Sequence, residues 1–79
     1  MKGEEGVHIS LTWAEALVLF EWLVREERTE ALHFAHLAEE RVLWGLEAQL
    51  EKSLVDVLAA DHPERLAEAR QSVLSSGPL

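Results

Sequence analysis

The chain has no cysteine and no tyrosine, only two prolines, and seven basic side chains against 15 acidic ones among 79 residues. Without cysteine there is no disulfide framework, no thiolate zinc site and no thiol chemistry, which agrees with a reducing compartment. No apolar run reaches the ~18 residues of a membrane span, and the opening MKGEEG has no apolar segment of the secretory type. The expectation is a cytoplasmic protein with no membrane role. The shortage of Lys and Arg leaves a net charge of −8. A protein that neutralises phosphates needs clustered positive charge, so nucleic acid is a poor partner and a basic protein surface a better one. The four glycines, Gly3, Gly6, Gly45 and Gly77, are scattered, so no phosphate-binding loop is present.

Apolar residues, by contrast, make up 48% of the chain against 28% charged, a balance that folds rather than staying disordered. The sequence divides into a loose polar N-terminus (1–6), a single domain (7–76) and a short tail (77–79). A domain below ~80 residues buries little apolar surface and usually needs a staple. With disulfides excluded, that leaves oligomerisation, a bound partner or a metal.

The alternation of Val7, Ile9 and Leu11 with polar neighbours predicts a short half-buried strand, which must either lie extended on helices or pair with a copy from another subunit. Thr12 and Glu15 have capping-box spacing, which predicts a first helix from about Trp13 to Glu26. Thr29 is the expected cap of a second helix beginning near Glu30. From Ala31 to Ala60 apolar residues recur in steps of three and four over most of the stretch, as one long helix or two. Gly45 costs ~1 kcal/mol against Ala inside a helix, so it marks a bend or, more in keeping with its neighbours, the close approach of another backbone. Asp61, Pro63 and Glu64 announce a third helix, ending near Ser75. The expected fold is therefore mainly all-α: a short N-terminal strand, then three helices of which the second is long, assembled as a helical dimer.

The first helix carries more apolar surface than one core can use. Trp13, Leu17, Phe20 and Val24, with Ala16 and Leu23 beside them, form the expected core face. Val18, Leu19 and Trp22 fall on the other side, among Glu15, Glu21, Arg25 and Glu26. A tryptophan carries ~200 Å² of surface, and little in a three-helix chain can cover a second face. As a single helix, residues 36–60 would span about 37 Å, longer than the roughly 30 Å width of a compact domain of this size. Val18, Leu19 and Trp22, with Trp44, Leu46 and Leu50 from the second helix, are the predicted interface. A symmetric homodimer accounts for them best; a monomer broken at Gly45 with Trp22 folded inward, and an obligate different partner or larger complex, stay open.

Chemistry-bearing clusters are few. Glu30, His33, His36 and Glu40 have the spacing at which a helix can present Glu and His to one metal, with Glu21 or Glu26 of a facing helix as further ligands. Solvated histidines in a Glu-rich helix are the plainer reading. The hydroxyls sit at expected caps, in the strand, in helices or in the tail, none with a histidine at a local spacing that would make it a nucleophile. Glu39 and Glu40 point apart. No cofactor and no enzymatic activity are expected.

Residues 11–23 (LTWAEALVLFEWL) and 38–55 (AEERVLWGLEAQLEKSLV), followed by a Pro- and Glu-led helix, resemble a group of small uncharacterised bacterial helical proteins with EALVLFEWL and AEQRVLW-LE-LEK-type helices. The polar points of match are Glu15, Glu21, Arg41, Glu47, Glu51 and Lys52. No activity attaches to that group, so the resemblance implies helices and no catalytic residues; the EALHFAH segment departs from its pattern. The expected function is a non-enzymatic, acidic helical protein-interaction module acting as a homodimer, such as a small regulator, inhibitor or accessory subunit. Its alternative is a metal-binding helical bundle built on Glu30, His33, His36 and Glu40.

Overall fold

A computed structural model describes residues 6–55 and 62–75, which hold three helices and no strand: α1 (Trp13–Arg28), α2 (Leu37–Ser53) and α3 (His62–Ser75). The start of α1 is set by the predicted capping box. The Thr12 N–H donates to Glu15 Oε1 at 2.8 Å and the Glu15 N–H to Thr12 Oγ1 at 3.1 Å, so two otherwise orphaned donors are satisfied locally.

The other end of α1 corrects the sequence reading. Thr29 does not open a second helix; it closes the first, with its hydroxyl donating back to the Glu26 carbonyl at 3.1 Å. The Ala31 N–H reaches Glu26 O at 2.9 Å and the Glu30 N–H reaches Glu27 O at 3.1 Å, the paired bonds of a Schellman motif. That motif requires a left-handed residue, and Glu30 supplies it at φ 57°. The stop signal is hidden because Glu stands where glycine usually does.

The chain then runs without helix from Ala31 to His36. At the start of α2, His36 Nδ1 accepts from the Ala38 N–H at 2.9 Å, while Glu39 Oε1 accepts from the Ala35 N–H at 2.7 Å. A histidine and a glutamate thus share the work of a conventional N-cap.

Two expectations about α2 need correction. It runs through Gly45 unbroken, and a Cβ built on Gly45 would meet nothing within 4 Å, so neither a bend nor a close backbone explains the glycine. It ends at the C-cap Leu54, whose N–H is shared between the Leu50 and Glu51 carbonyls. Its 17 residues span about 26 Å, so the described helix does not overhang the domain. Residues 56–60, the remainder of the predicted long helix, and Asp61, the predicted cap of α3, lie outside the described residues. Pro63 sits in the first turn of α3, where its missing N–H costs nothing.

Both α2 and α3 pack on α1 and scarcely touch each other. The core between them is Ala14, Ala16, Leu17 and Leu23 of α1, Leu50 and Leu54 at the end of α2, and Leu66 and Ala69 of α3. Being central, α1 must be apolar on two sides for reasons internal to the chain. Val18 and Leu19, assigned from sequence to an outer face, accordingly pack against this core, as do Phe20, Leu43 and Val73. Trp13, by contrast, was expected in the core and is 47% exposed. It is the first residue of α1, and a helical side chain leans toward the N-terminus, so the indole projects past the helix start.

Candidate interaction surfaces

Residues 6–12 lead into α1 with no strand, against expectation, because the described residues offer no second strand with which to pair. Within residues 7–11 no backbone N–H or carbonyl is hydrogen-bonded to the rest of the described chain. Val7 is 90% and Ile9 80% exposed. With Leu11 they rim a groove of about 530 Å³ whose walls are Ala16 and Leu19 of α1 and Leu46, Gln49, Leu50 and Ser53 of α2. No lining residue is charged.

Of the predicted interface residues, Trp22 and Trp44 lie on the surface, and Leu46 is exposed at the groove. Val18 and Leu19 are half-buried against the core. Leu50 corrects its assignment: it is buried within the chain, because it is one of two α2-end leucines that reach the α1 core. The structure therefore brings Leu19 and Leu46 to one groove and places Trp44 on another, about 280 Å³ in volume, with Phe20, Val24, Glu47, Ala48 and Glu51.

That second groove holds a group the sequence reading passed over. The Glu47 carboxyl is pushed up from an ordinary 4.5 to about 6, first by burial, then by a hydrogen bond to Glu27 and the charges of Glu27 and Glu51. Its Oε1 is enclosed with no hydrogen-bond partner. Glu47 and Glu51, four apart on α2, were a visible like-charge pair. The approach of Glu27 from α1 was not visible, because it depends on how the two helices dock.

The Glu-His cluster does not assemble on a helix. Glu30, His33 and His36 lie in the segment between α1 and α2, since α1 ends later and α2 begins later than the spacing argument required. Glu30 and Glu40 line one hollow with Glu27, Leu32 and Phe34, but His33 and His36 do not join them. His36 spends Nδ1 on the α2 cap. Among the described residues no three His, Asp or Glu side chains are placed to hold a metal ion. Glu21 and Glu26, the suggested additional ligands, face His62 Nε2 at 3.4 Å and Arg25 Nε at 3.6 Å.

Among the described residues no helix is long and apolar enough to cross a membrane. No protein-family model matches the chain, and no curated protein or solved structure is detectably similar to it.

Proposed function

We propose that the chain is a non-enzymatic, acidic helical module of the cytoplasm that acts by binding protein: a second copy of itself through its apolar surface, and a basic partner through its acidic outer surface. The observation carrying this reading is the exposure of all three tryptophans, Trp13, Trp22 and Trp44, at 47%, 43% and 47%. At ~250 Å² per indole side chain, each of them leaves on the order of 100 Å² of aromatic surface in water. Leu37, Val42, Val55 and Leu74 are further apolar side chains in water, each at least 60% exposed.

Four of the side chains able to do chemistry are placed at helix ends or against a carboxylate. His36 caps α2, His62 faces Glu21, and Thr12 and Thr29 hold the two ends of α1. The −8 charge favours a basic partner and speeds encounter with it at low salt. The resemblance to small bacterial helical proteins is compatible with this role.

Light scattering on the purified chain over a range of concentrations tests the reading. The expected molar mass is twice the 8.9 kDa of one chain. Trp22→Glu should leave the far-UV circular dichroism unchanged and bring the mass to that of one chain. A wild-type mass of one chain at every concentration would overturn the dimer, and an unchanged mass in the mutant would remove Trp22 from the interface.

A further inference from the structure

The segment before α1 is the least satisfied part of the described chain. Its backbone groups at residues 7–11 make no hydrogen bond within the described residues, and Val7 and Ile9 are almost wholly exposed while rimming an apolar groove. An unpaired segment with alternating apolar side chains is a template for pairing with another chain.

Charge leaves this face open to a second copy, and the symmetry of the segment selects it. A second copy also carries −8, so most approaches of one copy to another set carboxylates against carboxylates. Residues 7–14 contain no Asp, Glu, Lys or Arg, and the groove below them is lined by uncharged residues alone. On this face two copies meet without setting one carboxylate directly against another.

The segment is also self-complementary. In an antiparallel register centred on Ile9, Val7 stands opposite Leu11, Ile9 opposite Ile9, and His8 opposite Ser10. Apolar residues then meet only apolar residues, all on one face, and a one-residue slip would turn that face over. Two strands alone are marginal in water, but a ribbon whose apolar face rests on α1 and α2 has a layer to pack on.

We infer that residues 7–11 pair antiparallel with the same segment of a second copy in the register centred on Ile9, and that this ribbon closes the apolar groove between α1 and α2. The inference rests on the dimer reading and adds to it a contact at the N-terminal segment, separate from the tryptophan surface.

The absence of cysteine makes the test direct. In full-length Ile9→Cys the two sulfurs would lie across a two-fold axis on Cα atoms about 4.5–5.5 Å apart, within disulfide reach. Under diamide, Ile9→Cys should form a covalent dimer at least ten times faster than the exposed control Arg70→Cys. Ile9→Asp, which sets two carboxylates face to face, should keep its helical circular dichroism and scatter as a single chain. A wild-type protein of twofold mass whose Ile9→Cys variant cross-links no faster than the control would overturn the strand pairing while leaving the dimer intact. A wild-type mass of one chain would overturn the dimer itself and this inference with it, leaving the segment to another protein's strand.

Discussion

Glu27 on α1 and Glu47 on α2 confront each other across the helix pair, so that a carboxyl group enclosed at one oxygen also faces a second carboxyl. Folding therefore makes Glu47 harder to ionise, at about 6 against an ordinary 4.5. Between those two values the folded chain holds the proton more than the unfolded chain does, so stability falls as pH rises. The contribution is fully present below about 4.5 and lost as pH passes about 6.

Glu47→Gln should remove that dependence. Urea unfolding of the two proteins at pH 4.5 and pH 7 should show the mutant gaining on the wild type at the higher pH. The relative gain should not exceed about 1 kcal/mol, since Glu47 is only half-buried and solvent screens the pair. An equal difference at both pH values would show that the Glu27–Glu47 contact is not felt in stability.

At Gly45 the backbone is helical and the space beside it open. Gly45→Ala should raise stability by roughly 0.5–1 kcal/mol, by restricting the unfolded chain without a clash in the folded one. A loss of stability or a fall in molar mass would mean that a partner backbone occupies that open space in the assembled protein.

Glu30 holds a left-handed conformation that a Cβ disfavours. Glu30→Gly should therefore stabilise the end of α1 by about 1 kcal/mol, whereas Thr12→Ala, at the other end, should cost about 1 kcal/mol through the lost cap. Thermal unfolding followed by circular dichroism reads both. Opposite signs for the two changes are the expected result.

Among the described residues Leu17 is the one large side chain without exposure. Leu17→Ala should cost 2–5 kcal/mol, a large share of the stability of so small a domain. The variant should lose its cooperative thermal transition near room temperature, while Leu74→Ala, on the exposed end of α3, should change the midpoint by a degree or two at most.

The helix starts that use common chemistry were legible. Thr12 with Glu15 placed the first residue of α1, and Pro63 with Glu64 placed the first turn of α3, because these signals act between neighbours in sequence. The boundaries built from unusual residues were not: a Schellman turn on Glu30 and a cap on His36 satisfy the same backbone groups as glycine and serine would, but leave no compositional trace. The misplaced boundary then put His33 and His36 on a helix face that does not exist.

The sequence by itself determined that the chain is helical, acidic, richer in apolar helix surface than one face can use, and uncharged from residue 7 to residue 14. These follow from composition and periodicity. Only the tertiary structure decided where the surplus goes. Because α1 sits between α2 and α3, it consumes Val18 and Leu19 internally, while Trp13, Trp22 and Trp44 remain half in water and Glu27 is carried to Glu47. Periodicity fixes the angle of a side chain around its own helix; which of those angles is covered depends on how many neighbours dock there, and that is settled only when the helices pack.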